Sequence, residues 1–325
     1  MILTTLNQFQ IAVPTAVGVR EWTDLETYVK SAEIWLKRNV LGTGLYNKII
    51  EELLEAGSGS GEPYVSDELL RLCRNVIANH AYWDAIPFLD VVHTDSGFGV
   101  IQSTNKAPAS KERVERLRQQ CLIRRDAEAD NLIAYLYEND IYHDLWKADS
   151  VFSDMFDSLL PTVEIFRRYN NIADRATLDK LRPSIVAIQN TIVADAISQE
   201  LVDELVEAQK DNDFTPHHND IISRLRDAIA KLAIAHGVDD MSVIVDSTGI
   251  LRSYTIGATS YADESRLSLF KSSFLSTGMR LLEKVVNHVN ENVEDFPTYV
   301  ASELYTARLT EGYENDEDAT IFSSL

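Results

Sequence analysis

The triplet Asp95-Ser96-Gly97 is the group of residues in this chain whose type and order first suggest chemistry. It follows Val91-Val92, and an Asp-Ser-Gly triplet after an apolar run is typical of aspartic proteases, in which two carboxylates share one proton. The related segment near Gly249 would have to supply the second carboxylate, but its acid, Asp246, comes one residue too early. A slip of one residue turns a strand side chain to the opposite face, so the two acids would not meet.

Asp, Ser and Gly are also the residues that tight turns favour. We therefore interpret four residues as members of two β-hairpin turns, and predict that none is catalytic: Asp95, Gly97, Asp246 and Gly249.

The other candidates for chemistry are weaker. His217-His218 with Asp220 offers metal-ligand side chains, but it directly follows Thr215-Pro216, where helix capping and solvent exposure explain it better. The glycine-rich stretch 57–61 lacks the lysine and the preceding strand of a phosphate-binding loop. Cys73 and Cys121 lie in apparent helices and are interpreted as small core residues. We predict no catalytic site, no metal and no cofactor.

The segments that would position these residues occur twice in the sequence, as an internal repeat. Residues 28–140 match 180–292 at an offset of 152, which places Gly97 on Gly249. The residues that match are apolar or turn-forming, whereas polar and charged positions mostly differ. This pattern indicates a duplicated scaffold rather than a duplicated active site.

The periodicity predicts a mainly α fold with β-hairpins, that is, an α+β class. Each repeat is expected to hold three helices, a β-hairpin and a long helix, the first long helix beginning at Ser110. We predict five parts: an N-terminal arm (1–20), a first helical lobe (21–140), linker helices packed between the lobes (141–175), a second helical lobe (176–300) and an acidic tail (301–325).

The net charge of −21 limits the partners. It disfavours direct sequence-specific binding of nucleic acid, whose affinity comes largely from Lys and Arg. A local basic strip stays open as an exception: Arg113, Arg116, Arg118, Arg124 and Arg125. Neither a signal peptide nor an apolar stretch of membrane-spanning length is apparent, so we expect synthesis in a bacterial host cytoplasm and no membrane partner.

The last residues combine an acidic spacer with a short apolar end. Four of them are candidate partner-binding anchors: Tyr313, Ile321, Phe322 and Leu325. We expect this tail to dock on a neighbouring ring subunit or on another protein of the assembly, while a disordered end is the alternative. Deleting residues 313–325 should then leave the monomer folded and weaken its assembly.

The order of elements resembles a known group of proteins. Ala32-Glu33, the segment 41–46, Ile86-Pro87, the turn at Gly97 and a long helix with Ala127, Ala129 and Asp130 carry the resemblance. The pattern is similar to an uncharacterised family from the structural gene blocks of phages and prophages of Bacteroides-type bacteria. More distantly, it resembles the head–tail connector (adaptor) proteins of tailed phages.

The resemblance implies a non-enzymatic virion protein that forms a ring at the portal or neck, with itself, the portal and neighbouring neck or tail proteins as partners. It implies no catalytic residues. Another tail-completion or neck protein is one alternative. A cytoplasmic hydrolase or binding module, with a site that the sequence does not reveal, is another.

Overall fold

Two compact helical units make up the chain. The structure is a computed structural model, and it describes residues 1–16, 18–55, 65–89, 91–94, 97–100, 110–172, 174–241, 243–246, 249–252 and 264–305. The first unit contains Met1–Phe156, Thr162–Arg167 and Ile172–Asp179. The second contains Asp157–Pro161, Arg168–Asn171 and Lys180–Leu325.

Helices of very different length build the first unit. They are α1 (Leu6–Ala12), α2 (Glu26–Leu36), α3 (Gly42–Glu55), α4 (Asp67–Ala85), α5 (Lys111–Glu138), α6 (Asp140–Lys147), α7 (Ser150–Phe156) and α8 (Val163–Arg167), with short 3₁₀ turns at Pro14–Ala16, Trp22–Asp24 and Ile86–Phe88. Ser66 and Ser110 are the N-caps of α4 and α5, and each hydroxyl accepts a hydrogen bond from the third residue after it. Helices α4 and α5 pack along each other and α2 packs on α4, so these three helices hold much of the unit's apolar core.

The second unit repeats this plan. Helix α9 (Arg175–Ile188) contributes its first five residues to the first unit and the rest to the second. The following helices are α10 (Ala194–Ile197), α11 (Gln199–Lys210), α12 (Pro216–Met241), α13 (Glu264–Glu291) and α14 (Pro297–Val300), with a 3₁₀ turn at Val293–Asp295. Helices α12 and α13 form the long packed pair that corresponds to α4 and α5.

The predicted α+β class is wrong, because the fold is helical. The extended segments among the described residues are four strands of four residues each: β1 (Val91–Thr94), β2 (Gly97–Val100), β3 (Val243–Asp246) and β4 (Gly249–Arg252). They pair antiparallel, β1 with β2 and β3 with β4, and join no larger sheet. Two such short strands cannot form a layer that encloses a core, so a β-hairpin is not a structural component of either unit. The three helices expected before the long helix of the first lobe are present as α2, α3 and α4, whereas α1 lies in the segment predicted as an N-terminal arm.

A π-helix at the same place in both units is the most specific mark of the duplication. One occupies Lys37–Leu41 and the other Gln189–Val193, an offset of 152 residues. The strands follow the same offset, whereas α5 and α13, both 28 residues long, are 153 residues apart. Since π-helices are rare, this agreement supports a common origin of the two units.

A residue of positive φ follows the π-helix in both units, directly in the first and after α10 in the second. Gly42 has φ 73° and ψ 176° in the first unit, and Ser198 has φ 79° and ψ 148° in the second. Between the π-helix and Ser198 lies α10, one extra helical turn that the first unit lacks. The two repeats therefore differ locally between the π-helix and α11, although the offset is 152 again at the strands.

The similarity also reaches into the segment predicted as an N-terminal arm. Ile2-Leu3-Thr4-Thr5-Leu6 corresponds to Leu159-Leu160-Pro161-Thr162-Val163. Thr5 Oγ1 accepts the Gln8 N–H at 3.3 Å, and Thr162 Oγ1 accepts the Ile165 N–H at 3.2 Å. Phe9 and Phe166, four residues after each threonine, are fully buried. The repeat thus includes a capped short helix that the 152-residue offset does not reveal.

Candidate interaction surface

The residues interpreted as turns flank the two strand pairs. Gly97 pairs with Thr94, and Gly249 pairs with Asp246, so both glycines begin the second strand of their pair. Asp95 lies outside the described residues, as do the four tail residues Tyr313, Ile321, Phe322 and Leu325. Gly97, Asp246 and Gly249 therefore adjoin the connection between the strands.

Each of the three residues considered as metal ligands contacts a different partner. His217 Nδ1 lies 3.1 Å from Asp295, His218 Nε2 lies 2.9 Å from Glu204, and Asp220 lies 2.9 Å from His288 Nε2. These contacts attach the beginning of α12 to α11, to the end of α13 and to the 3₁₀ turn that follows it. In the described part of the chain, no three His, Cys, Asp or Glu side chains come together as a metal site.

Both cysteines are buried in the first unit. Burial raises the pKa of the Cys73 thiol to about 12 and also raises the pKa of Cys121. A thiol with a raised pKa is a poor nucleophile because it is seldom ionised.

The arginines of the predicted basic strip separate onto two sides of α5. Arg118 and Arg125 turn inward and lie over the rings of Trp83 and Trp35 at 4.8 and 4.4 Å from the ring centroids. The side chains of Arg113, Arg116 and Arg124 are exposed on the outer side. The sequence grouped these five residues by charge, whereas the helical period divides them.

The inward arginines belong to a continuous stack of side chains that α2, α4 and α5 contribute. His80 lies between the two tryptophans, 5.0 Å from the Trp35 ring and 5.7 Å from the Trp83 ring. Arg118 Nε also donates to the Trp83 carbonyl at 3.4 Å. We call this set the aromatic–arginine seam: Trp35, His80, Trp83, Arg118 and Arg125.

The seam keeps its central imidazole neutral. His80 is 7% exposed, and its Nδ1 is buried without a hydrogen-bond partner in the described part of the chain. Burial, with a smaller effect of the nearby Arg125 charge, lowers the pKa of His80 to about 4. A neutral ring avoids placing a third positive charge between the two guanidinium groups.

Buried charges extend from the seam along α5. Arg125 Nε donates to Asp126 at 2.8 Å, and one turn later Asp130 accepts from Arg175 Nη1 at 3.3 Å. Burial raises the pKa of Asp126 and raises that of Asp130 to about 6, although Arg175 opposes the second shift. Because Arg175 is 4% exposed, this pair fixes the beginning of α9 on α5.

The second unit has small or apolar residues in place of the three ring residues and Arg125 of the seam, whereas Arg118 corresponds to Lys271. Trp35, His80 and Trp83 correspond to Ala187, Leu232 and Ala235. Arg125 corresponds to Gly278, whose Cα lies so near Leu232 that an added Cβ would be 2.7 Å from its Cγ. A search for positions at which the two repeats differ would have pointed to the residues of the seam.

The exposed arginines of α5 are part of a longer row. Residues on the outer face recur every three or four positions, as one side of a helix requires. We call them the basic row: Arg113, Arg116, Gln120, Arg124, Ala127 and Asn131, all exposed. The row contains three arginines and no acid, although the chain has 51 Asp and Glu against 30 Lys and Arg. We take the basic row, supported from beneath by the seam, as the candidate interaction surface.

Within the described ranges, no helix is both long enough and apolar enough to cross a membrane. No curated protein and no solved structure matches the chain. A family model, described as a family of unknown function (DUF6712), matches it twice, over residues 38–154 and 193–308. The two matches cover more than half of the sequence and lie one in each repeat, so the chain belongs to this family and carries its domain in duplicate.

Proposed function

We propose that this protein is a non-enzymatic assembly protein that associates with copies of itself and with neighbouring proteins. The specific role we propose is a ring-forming head–tail connector at the portal or neck of a phage particle. The connector role comes from the resemblance of the sequence pattern to phage adaptor proteins. The assembly role has support in the fold.

The observation that carries the assembly proposal is the unequal divergence of the two units. Their buried framework and their π-helices coincide, whereas the outer faces of the long helices differ. Along α5 the row reads Arg, Arg, Gln, Arg, Ala, Asn, and the equivalent positions of α13 from Leu269 onward read Leu, Ser, Thr, Arg and Lys. A duplication that keeps its helical framework and changes the outer faces of its long helices provides two different contact faces on one scaffold, which suits a protein with more than one neighbour.

The long helices also offer apolar contact area. Leu269, Phe270, Leu275 and Met279 of α13 are exposed by 38% to 70%. No Asp or Glu occurs between Ser265 and Leu282, so this stretch avoids the charge repulsion that two chains of −21 experience elsewhere. Apolar side chains without nearby like charges are where copies of an acidic protein can approach each other.

The experiment is a measurement of mass in solution. The full chain, examined by multi-angle light scattering and native mass spectrometry from micromolar to higher concentration, should form a closed oligomer of defined size. Negative-stain electron microscopy of the same sample should show rings. The companion variant lacks residues 313–325. It should keep the circular dichroism and the melting temperature of the full chain but form less oligomer at the same concentration. A chain that stays monomeric throughout, alone and with a portal protein, contradicts the proposal.

A further inference from the structure

The charges of the basic row are largely uncommitted. Arg116 pairs with Glu112 at 2.6 Å, but both side chains are about three-quarters exposed, and such pairs contribute little. Arg113 and Arg124 make no ion pair in the part of the chain that the structure describes. Three guanidinium groups on one exposed helix face therefore remain available to an acidic partner.

The row is also rigidly supported. Arg125 is adjacent to Arg124 in the chain and is held between Trp35 and Asp126 on the inner side of α5. Asp130 and Arg175 restrain the next turn. A binding face that is already ordered loses little conformational entropy when a partner binds, which favours affinity.

The chain itself contains a segment of matching chemistry. Residues 311–318 include five acids: Glu311, Glu314, Asp316, Glu317 and Asp318. Ile321 and Phe322 follow after Ala319 and Thr320. Next to the arginines on α5, Ile123 is half exposed and offers an apolar contact to such an end. The twenty residues that follow Tyr305 reach at most roughly 70 Å when fully extended, which is enough to span from one subunit to the next.

Nucleic acid is the competing acidic partner. Its phosphates would approach a chain of net charge −21, whose long-range field repels them, and the three arginines would have to overcome that field alone. A tail of the same chain carries only five acids, and its apolar end adds contacts that a phosphate backbone does not.

We propose that the acidic tail of one copy, residues 311–322, binds the basic row of a second copy. This inference rests on the proposed self-assembly and names the interface through which it occurs. Each copy offers one row and one tail, so the contact is head-to-tail, and repetition of a head-to-tail contact closes a ring when the rotation allows it. At the equivalent positions α13 has Leu269, Ser273 and Thr277 where α5 has Arg116, Gln120 and Arg124, so this arrangement of arginines is not repeated there.

A charge exchange between two full-length variants tests the proposal. Variant A carries Arg113→Glu and Arg124→Glu, and variant B carries Asp316→Lys, Glu317→Lys and Asp318→Lys. Each alone should self-associate at least tenfold more weakly than the wild type in sedimentation velocity. When they are mixed, the unchanged tail of A meets the unchanged row of B, and mixed A–B complexes should form near wild-type affinity. The matched control is Arg20→Glu with Arg38→Glu, two exposed arginines away from α5, which should not change association.

Each other outcome overturns the inference in a recognisable way. If the wild type associates and A and B associate equally well, the tail and the row do not meet, while the assembly proposal stands. If A and B are each weakened but their mixture does not recover, the contact occurs within one chain and not between copies. If A loses binding to a labelled DNA duplex while its self-association is intact, the row is a nucleic-acid site. A monomeric wild type contradicts both proposals.

Discussion

Arg74 and Arg226 stand 152 residues apart, and each donates its Nε to a backbone carbonyl of the segment that leads into a short capped helix. Arg74 reaches the Ile2 carbonyl at 3.1 Å in α4, and Arg226 reaches the Leu159 carbonyl at 2.7 Å in α12. Arg226 also donates to the Gln209 side chain at 2.8 Å. The duplication has therefore conserved a specific anchor between a long helix and the segment that enters the unit, beyond the apolar pattern.

We expect Arg74→Met and Arg226→Met each to lower the free energy of unfolding, because a half-buried carbonyl loses a charged donor. A hydrogen bond to a charged group contributes about 1.5–3 kcal/mol, and Arg226→Met should cost more since it removes two bonds. Urea denaturation followed by circular dichroism measures the change. Arg71→Met is the control: its partner Glu68 is exposed, so the cost should stay below about 1 kcal/mol. Equal effects of all three substitutions would show that the carbonyl contacts are unimportant.

Gly42→Ala should lower the stability of the protein, whereas Ser198→Gly should raise it. Both have the combination of positive φ and extended ψ that is essentially restricted to glycine and costs other residues about 1–3 kcal/mol. Gly42→Ala adds this cost and also a collision of its Cβ with the Asp149 carboxyl group, which accepts the Thr43 N–H at 2.6 Å.

Ser198→Gly removes the strain and loses only a long capping bond of 3.4 Å to the Leu201 N–H. Replacing a cap residue by glycine costs only a few tenths of a kcal/mol, so we expect a net gain of about 1 kcal/mol. Differential scanning calorimetry should show a lower melting temperature for Gly42→Ala and a higher one for Ser198→Gly. A destabilised Ser198→Gly protein would mean that the hydroxyl matters more than the backbone strain.

The contacts of Arg74 and Arg226 and the aromatic–arginine seam show how much of the structure could be predicted from the sequence. The offset of 152 identified the repeat because helix packing constrains which positions are apolar, and Cys73 and Cys121 proved buried as interpreted. The α+β class failed because short β-branched runs resemble a sheet locally, whereas sheet formation depends on further strands, which the described residues do not include. The seam could not be derived from composition, since its five members come from three helices that only tertiary packing brings together. The equivalence of Thr5 and Thr162 was missed because its offset of 157 differs from that of the core.

Asp130 should make the first unit more stable in mild acid. Its pKa is about 6 in the folded protein against 3.8 as an ordinary aspartate, so the folded state binds the proton more strongly. The resulting stabilisation is fully present below pH 4 and is lost as the pH rises through 6, with a total of about 1–3 kcal/mol. Urea titrations at pH 5 and pH 7.5 should show this difference in the wild type, and Asp130→Asn should reduce it. An unchanged pH dependence in Asp130→Asn would contradict the shift.

His80 should act in the opposite direction. Its pKa of about 4 lies below the usual 6.5, so the unfolded chain binds the proton more strongly and the protein loses stability as the pH falls from 6.5 towards 4. His80→Leu introduces the residue that the second unit has at this position, Leu232, and removes both the titration and the unpaired Nδ1. We expect its unfolding free energy to equal or exceed that of the wild type at pH 7, with the larger gain at pH 5.

Trp83→Ala serves as the comparison for His80→Leu, since it removes a large ring from the seam and should destabilise the unit by about 3 kcal/mol at either pH. Loss of stability in His80→Leu at both pH values would show that the imidazole contributes through its ring contacts and not only through its charge state.

Gly278 and Leu232 lie where α12 and α13 cross. Substitutions at these two residues should have non-additive effects on the free energy of unfolding. A Cβ on Gly278 would lie 2.7 Å from Leu232 Cγ and 3.2 Å from its backbone nitrogen, so Gly278→Ala forces the helices apart and should cost about 1–3 kcal/mol. Leu232→Ala leaves a cavity and should cost about 2–5 kcal/mol. In the double variant the added methyl group occupies part of the space that the leucine vacates, so the combined loss should be smaller than the sum by at least about 1 kcal/mol. Strict additivity in denaturation experiments would show that the two residues do not meet at the crossing.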